Sequence, residues 1–503
     1  MNQLKAGAVL NYVIIALNTI VGLAYTPYML RCLGQNEYGL YSLVASVIAY
    51  LTILDFGFGN AIIRYTAKFR AEGKKREQWE MFGMFLIVYS IIGLIAFGGG
   101  LGLYFNVDIL FDRTMTESEL TQARTMMILL TINLAFTFPL SIFGSIISAY
   151  ENFVFQRIVN ILRIIVSTGV LIFVLSIGFK AVALVVVQTI FNLLTLLINF
   201  AYCKKKIKIK IIFGVFDWRF IKEIWTYSFW IFLNAIMDKI YWGTGQFVLG
   251  SISGTVAVAI FSVAIMLEQM YMMFSTSIVS VLLPKITGMI TKGDDKIAIS
   301  NLFIMTGRVQ CIIIALILSG FIVFGDGFIN IWAGHSYAGS YLITVIFFTS
   351  LFIPLIQNTG ITILQARNNL KFRSLLYLAI SCGSLVFQII LAKYYGALGC
   401  AFAIGFALIL GTGLIMNIYY YKKQSIDIPK FWKNIGNLLI IPALLATLGL
   451  ISSKWIDYSH PLFLIIGIFI FTTLYILFTW KFSMNSYEKS LISKPMQKFR
   501  KML

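Results

Sequence analysis

Long apolar runs alternate with short polar segments along the chain. A helix needs roughly 20 apolar residues to cross a bilayer, and about fourteen runs approach or exceed that length. They are centred near 8–30, 39–63, 81–105, 123–148, 159–178, 181–201, 226–250, 255–283, 302–324, 341–364, 375–392, 397–420, 435–453 and 461–480. The sequence therefore predicts an all-α integral membrane protein with about fourteen transmembrane helices, numbered as predicted spans 1 to 14.

Composition supports a membrane protein and excludes several kinds of site. Hydrophobic residues make up 59% of the chain and charged residues 12%, which is about half the charged share of a typical soluble protein. Five scattered cysteines and two loop histidines form neither a CxxC pair nor a metal-ligand spacing. We therefore expect no metal and no cofactor.

The distribution of Lys and Arg predicts the orientation. The net charge of +20 would suit a nucleic-acid-binding protein, yet the basic residues lie in short segments between apolar runs. With the N-terminus inside, 33 of the 40 basic residues fall on inner segments and 6 on outer segments, while Lys239 lies within a span. Cytoplasmic loops of membrane proteins carry such an excess. The sequence therefore predicts an N-in, C-in topology and no nucleic-acid partner.

Weak internal repeats predict the domain organisation. YGLYSLVAS resembles VAIFSVAI, SAYENFVFQ resembles QARNNLKFR, and GFKAVA resembles GALGCA, at one nearly constant offset. Two six-span lobes in the same orientation are typical of transporters whose substrate site lies between the repeats near mid-membrane. The predicted domains are an N-lobe at 1–203, a basic cytoplasmic linker at 204–225, a C-lobe at 226–421, and spans 13 and 14 with a basic cytoplasmic tail at 422–503.

Ionisable residues inside the apolar runs are the candidate functional residues, because a charge in the hydrocarbon core costs about 3 kcal/mol on insertion scales. Asp238 and Lys239 lie at the centre of predicted span 7, and Glu268 lies at a similar depth in span 8, where an ion pair with Lys239 is plausible. The other candidates are Asp55 in span 2, Arg64 at its inner end and Arg31 closing span 1. These four spans are the first two of each repeat. Helix packing and anchoring at the membrane surface remain alternative roles.

Four segments resemble one transporter family. LGQNEYGLYSLVASVIAYLTILDFGFGNAIIRYTAKF in the N-lobe and MDKIYWGTGQFVLGSISGTVAVAIFSVA in spans 7 and 8 are similar to the polysaccharide repeat-unit flippases, the Wzx type of the MOP superfamily. LLPKI after span 8 and GITILQARNNLKFRSLLYLAISCGSLVFQIILAKYYGALGCAFA across spans 10 to 12 also resemble this family. The resemblance covers roughly residues 8–420.

This resemblance implies two six-helix lobes around a cavity that opens to each side of the membrane in turn. The implied substrate is an undecaprenyl-pyrophosphate-linked oligosaccharide, moved from the cytoplasmic to the outer leaflet of the bacterial cytoplasmic (inner) membrane. A cationic cavity receives the anionic head in this family, which implies that the substrate is bound by Arg31, Arg64 and Lys239.

The resemblance also implies coupling and partners. Transport in this family is proposed to be coupled to H⁺ or Na⁺, and the carboxylates available for coupling are Asp55, Asp238 and Glu268. The implied partners are the lipid-linked glycan, membrane lipids, and the polysaccharide polymerase and export machinery.

Three other functions remain open at this point. They are a lipid II or teichoic-type precursor flippase of the same superfamily, a membrane-embedded polysaccharide polymerase or ligase, and a non-transporting scaffold. Against an enzyme, the outer loops are short, and His335 and His460 each stand alone. No GxxxxGK phosphate loop is present, so ATP does not drive transport from within this chain. We therefore expect a transporter and not an enzyme.

Overall fold

The computed structural model describes residues 3–214, 218–279, 282–291, 293, 296–367, 369–491 and 493, and every regular element in this part of the chain is helical. The first ten helices are α1 Gln3–Ala49, α2 Phe58–Ala71, α3 Lys75–Phe105, α4 Val107–Phe111, α5 Glu117–Ala149, α6 Phe153–Ser176, α7 Ala181–Tyr202, α8 Trp218–Trp242, α9 Thr244–Ile252 and α10 Thr255–Val279. The others are α11 Leu283–Thr291, α12 Lys296–Trp332, α13 Ser340–Ile356, α14 Thr359–Ala366, α15 Leu370–Leu408, α16 Met416–Gln424, α17 Ile428–Ser452 and α18 Pro461–Phe478.

Many of these helices have the length and hydropathy of membrane spans. Among the described residues, 10 helical stretches are long and apolar enough to cross a membrane, and 11 if the bent pair Ser340–Ile356 and Thr359–Ala366 is one span. The angle within that pair is 42°. The all-α, multi-pass membrane architecture predicted from hydropathy is therefore confirmed.

Two of the stretches are longer than one crossing requires. Val13–Ala71 has 59 residues and Leu370–Gln424 has 55, whereas about 20 residues cross the hydrocarbon core. Gly34, with φ 73°, interrupts the first stretch, and Gly396, with φ 54°, interrupts the second. A positive φ is strained for residues with a Cβ atom. Gly34 lies between predicted spans 1 and 2, and Gly396 lies between predicted spans 11 and 12.

The chain divides into two compact units, Met1–Ser262 and Val263–Leu503. The first unit includes α8, α9 and the beginning of α10, which the repeat pattern assigned to the C-lobe. This division follows contacts, whereas the predicted lobes follow sequence repeats. The lobes at 1–203 and 226–421 therefore stay a prediction.

The core of the first unit forms where α2, α3 and α5 pack together. Phe58, the first residue of α2, is buried with its ring edge-on to Phe85 of α3, and the two ring centroids are 6.0 Å apart. Tyr89 of α3 and Phe138 of α5 are also buried here, with their rings stacked at 6.3 Å. These aromatic side chains fix the start of α2 within the unit.

In the second unit, a buried ion pair joins the C-terminal segment to the helical core. Arg308 of α12 and Glu488, which follows α18, are 7% and 3% exposed. The Arg308 guanidinium donates from Nε and Nη2 to the two Glu488 oxygens at 2.6 and 3.0 Å. It also donates to the backbone carbonyls of Asn434 and Ser483 at 3.2 and 3.0 Å. One side chain therefore holds α12, α17 and the segment after α18 together.

Candidate functional site

Predicted span 2 is broken in its middle. The sequence predicted one helix over 39–63, but α1 ends at Ala49, a tight 3-10 turn follows at Tyr50–Asp55, and α2 starts only at Phe58. Phe56 and Gly57 both have left-handed backbone conformations, with φ 52° and 72°. Non-helical backbone at membrane depth is tolerated where it is buried in protein or lines a cavity. We therefore expect the backbone at this break to be buried in protein or to line a cavity.

Asp55 is the last residue before this break. Its side chain is half-buried, and its Oδ1 accepts a hydrogen bond from the Tyr89 hydroxyl at 2.7 Å. Tyr89 is itself almost completely buried, at 1% exposure, with its ring edge-on to that of Phe58 at 6.2 Å. A carboxylate at an interrupted membrane helix is a typical ion or proton site in transporters.

Helix α8 packs against the same break. The rings of Phe56 and Phe232 are 4.7 Å apart, and the Tyr50 hydroxyl donates to Thr244 Oγ1 at 2.6 Å. Phe232 lies before the Asp238–Lys239 pair in the sequence and Thr244 lies after it. The first unit therefore places the broken segment that carries Asp55 against the stretch that carries the acid and base of predicted span 7.

A second, mild irregularity lies beside Lys239. Its carbonyl accepts hydrogen bonds from the Gly243 N–H at 2.9 Å and from the Thr244 hydroxyl at 3.5 Å. Gly243 separates α8 from α9. The first of these bonds has the i to i−4 spacing of a regular helix, and Gly243 keeps a right-handed helical conformation, so the junction of α8 and α9 is only slightly distorted. The 3-10 turn at Tyr50–Asp55 therefore contacts the first residue of α9 through Tyr50 and Thr244.

Five of the six candidate residues belong to the first unit, and they differ in exposure. Asp55 and Lys239 are half-buried, whereas the exposed ones are Asp238, Arg31 and Arg64. The Arg64 guanidinium lies 5.7 Å from the centroid of the Tyr65 ring. Arg31 precedes the break at Gly34 by less than one helical turn. The structure thus brings the elements of Asp55, Asp238 and Lys239 together, whereas Arg31 and Arg64 lie nearer helix ends.

Glu268 belongs to the second unit and has a different environment. It is fully buried in α10, and neither of its carboxylate oxygens has a hydrogen-bond partner within the described part of that unit. An ionised carboxylate is costly to bury without partners, so this position favours a bound proton or cation. The predicted ion pair between Lys239 and Glu268 joins residues of different units and stays a prediction.

Sequence reasoning missed a buried polar cluster on the same face of α10. Ser275 donates its hydroxyl hydrogen to the Leu355 carbonyl at 2.7 Å and accepts from Gln310 Nε2 at 2.9 Å and Asn358 Nδ2 at 3.3 Å. Positions 268 and 275 are two turns apart, so both side chains face one side of α10. Asn358 lies at the bend between α13 and α14. Pro354, four residues earlier, is the sequence signal for this bend.

The missed partner of Asp55 has no comparable signal. Tyr89 is one of 25 tyrosines in the chain, and nothing in its local pattern distinguishes it from the others. Within the described residues, groups of three or more His, Cys, Asp or Glu side chains that could hold a metal ion are absent. The chemistry available at these positions is therefore that of single carboxylates, hydroxyls and cations.

Comparison with known proteins identifies the family. The Polysaccharide biosynthesis protein family model matches residues 4–290, which is more than half of the chain. The chain belongs to this family. It is 22% identical over 415 residues to a Shigella flexneri protein named "Putative O-antigen transporter", and the alignment covers 80% of this chain and 94% of that one.

Solved structures share the fold of this family member. The lipid II flippase MurJ in an inward closed conformation aligns with a TM-score of 0.70 and 18% identity, over 94% of this chain and 99% of its own. An inward-facing multidrug resistance MATE transporter of the MOP superfamily aligns with a TM-score of 0.64 and 12% identity, over 84% and 99% of the two chains. The predicted resemblance to polysaccharide transporters is confirmed by the family model and the O-antigen transporter relative. The solved structures show that the chain shares the fold of these named transporters.

Proposed function

We propose that this protein is a flippase that moves an undecaprenyl-pyrophosphate-linked oligosaccharide repeat unit across the bacterial cytoplasmic membrane. Its family and its O-antigen transporter relative support a polysaccharide precursor as substrate. The observation that carries the proposal is the broken span at Phe56 and Gly57, with Asp55 beside α8. Interrupted helices with charged residues at membrane depth are the usual means by which transporters give polar groups a route through lipid.

The proposed topology has fourteen spans with both termini inside. The breaks at Gly34 and Gly396 divide each of the two longest stretches into two crossings. The bent pair α13 and α14 supplies one further span, and α8 with α9 supplies another. Two six-span lobes would then alternate between inward-open and outward-open states around a central cavity, with predicted spans 13 and 14 outside the repeat.

We assign the cations to the substrate and the carboxylates to coupling. A pyrophosphate needs compensating positive charge to leave water, and Arg31, Arg64 and Lys239 would provide it in different states of the cycle. Asp55, Asp238 and Glu268 would bind and release the coupling ion, H⁺ or Na⁺. The buried Glu268 carboxylate, which has no hydrogen-bond partner among the described residues, and the Asp55–Tyr89 hydrogen bond support this assignment. Polymerase and export machinery would receive the product at the outer leaflet.

The deciding experiment measures the leaflet in which the lipid-linked precursor accumulates. The gene is deleted and complemented with wild type, Asp238→Asn or Lys239→Ala at equal membrane abundance. Lys393→Ala, which removes an exposed lysine from a predicted outer turn, is the matched control. We expect precursor on the cytoplasmic side in the deletion strain, and rescue by wild type and the control but by neither site variant.

Other outcomes would separate the alternatives. Precursor that reaches the outer leaflet in the deletion strain but stays unpolymerised would overturn the flippase proposal in favour of a membrane enzyme. Trapping of the cell-wall precursor in place of the polysaccharide precursor would identify a lipid II type of substrate. Rescue by both site variants would leave the transport function standing and assign Asp238 and Lys239 to helix packing.

A further inference from the structure

A lysine-rich segment, the basic strap at residues 203–214, follows α7 and has two different faces. Its isoleucines Ile207, Ile209 and Ile211 are half-buried and pack against the hydrophobic core of the first unit. The residues between and before them are exposed lysines, namely Lys204, Lys205, Lys206, Lys208 and Lys210. Alternation of this kind places apolar and charged side chains on opposite faces. The predicted linker is therefore, in this part, a docked amphipathic segment.

The strap is fixed to the ends of three membrane helices. The Ile212 N–H donates to the Trp79 carbonyl of α3 at 3.2 Å. Gly83 of α3 lies so close that a Cβ atom there would be 2.2 Å from the Ile212 carbonyl oxygen. The Cys203 thiol donates to the Phe143 carbonyl of α5 at 3.4 Å. The backbone of the strap is thus held by α3, α5 and α7 while its lysines point away from the core.

Neighbouring cations differ from the strap lysines in having carboxylate or carbonyl partners. Lys74 and Arg76 form ion pairs with Glu72 and Glu80, each at 2.9 Å, and Arg70 donates to the Ala149 carbonyl at 2.7 Å. None of the five strap lysines forms an ion pair within the part of the chain that the structure describes. Lys210 lies over the Trp79 ring, 5.5 Å from its centroid, and this contact leaves its charge uncompensated by any described carboxylate. Five charges without a carboxylate partner in the described residues are therefore available to an anion from outside.

We propose that the basic strap is a docking surface for anionic phospholipid headgroups at the predicted inner side of the membrane. The strap directly follows a membrane helix, so its lysines lie at headgroup level, and basic residues next to such helices attract anionic lipids. Lysine ammonium groups act as compact point charges without the bidentate geometry that arginine offers a single phosphate. Five lysines spread along one segment match several headgroups better than one pyrophosphate. This binding surface is independent of the transported substrate.

The test uses the full-length protein in vesicles of phosphatidylglycerol and phosphatidylcholine in equal amounts, and in vesicles of phosphatidylcholine alone. One variant combines Lys206→Gln, Lys208→Gln and Lys210→Gln. The matched control combines Lys422→Gln, Lys423→Gln and Lys433→Gln, which removes the same charge from exposed lysines on predicted inner segments. The measurements are the gain in Tm on adding phosphatidylglycerol and the phosphatidylglycerol retained in native mass spectra.

We expect the strap variant to lose most of this gain and most of the retained phosphatidylglycerol, while the control keeps both. An Arg replacement of the same three lysines should keep them, because the charge remains. Raising the salt from about 0.1 M to about 1 M shortens the Debye length from about 10 Å to about 3 Å, so the gain of the wild type should largely disappear. Equal losses in the strap variant and the control, or no loss in the strap variant, would overturn the proposal.

Discussion

Two buried glutamates of the second unit have opposite surroundings. The Glu488 carboxylate accepts hydrogen bonds from Nε and Nη2 of Arg308 and from the Asn485 N–H, the last at 2.9 Å. Glu268 is at least as deeply buried, yet neither of its oxygens has a hydrogen-bond partner in the described part of the unit. The partners of the first carboxylate give it a structural role in the folded protein. Burial of the second carboxylate without such partners destabilises the folded state. Destabilisation of this kind is expected where function requires a group that takes up and releases an ion.

The largest effect is expected from breaking the satisfied pair. Arg308→Ala leaves Glu488 buried without its partner, and loss of one member of a buried ion pair typically destabilises a protein by about 3–5 kcal/mol. We expect a large decrease in Tm and in membrane abundance, measured by thermal unfolding in detergent and by immunoblot. Transport should fall only in proportion to the abundance.

A double variant tests whether the pair is purely structural. Replacement of both charges, as Arg308→Met with Glu488→Leu, removes the desolvation penalty together with the attraction, and such replacements are often neutral or stabilising. We expect Tm to recover most of its loss and transport per molecule to stay normal. A stable double variant that no longer transports would show that the pair has a functional role.

Asp55 has fewer partners than Glu488 and more than Glu268, and the Tyr89 hydroxyl donates a short hydrogen bond to it. Tyr89→Phe removes the donor and keeps the ring that packs on Phe58 and Phe138. A hydrogen bond to a charged group contributes about 1.5–3 kcal/mol, so Tm should decrease measurably but less than in Arg308→Ala. We also expect the pH dependence of transport to shift, measured in vesicles with an imposed proton gradient. An unchanged pH profile would contradict a role for Asp55 in coupling.

Backbone conformation supplies a smaller effect that involves no charge. Gly34→Ala places a Cβ atom at φ 73° and ψ 175° with nothing within 4 Å, so any loss of stability reports only this backbone conformation, which costs about 1–3 kcal/mol for residues other than Gly. Gly98→Ala is the matched control, because Gly98 lies inside α3 and also has nothing within 4 Å. The free energy of unfolding of that variant should increase by up to about 1 kcal/mol, because Ala favours a helix interior more than Gly does. Equal changes in Tm would contradict the assignment of Gly34 as a helix break.

Sequence patterns predicted the features that depend on local composition. Apolar runs located the membrane helices, and the breaks at Gly34 and Gly396 fall in the gaps between predicted spans 1 and 2 and between spans 11 and 12. The same hydropathy pattern missed the break after Asp55, because Phe56 and Gly57 are apolar and their backbone conformation leaves no trace in hydropathy. It also missed the pair of Arg308 and Glu488, which are 180 residues apart. Pairing at such separation depends on how whole helices pack.

Glu268 was predicted as a candidate from the sequence alone, since a charge inside an apolar run is conspicuous. That its carboxylate has no hydrogen-bond partner in the described part of the second unit was not predicted. That feature gives the smallest expected effect on stability and the most specific effect on transport. Glu268→Gln keeps the size and hydrogen-bonding capacity of the side chain and removes its ability to ionise. We expect the free energy of unfolding to stay within about 0.5 kcal/mol of wild type or to increase, because no favourable charge interaction within the described part of the unit is lost.

Measurement of transport under an imposed proton gradient decides the role of the Glu268 carboxylate. In Glu268→Gln, precursor transport in vesicles should lose its response to an imposed proton gradient. Gln310→Leu removes the hydrogen bond from α12 to Ser275 of α10, and this variant should have a lower Tm and keep the response. If the gradient response survives in Glu268→Gln, Glu268 is a neutral packing residue and coupling must reside at Asp55 or Asp238. If it is lost at unchanged Tm, stability and coupling are separated within one unit, because Glu488 stabilises the fold and Glu268 responds to the gradient.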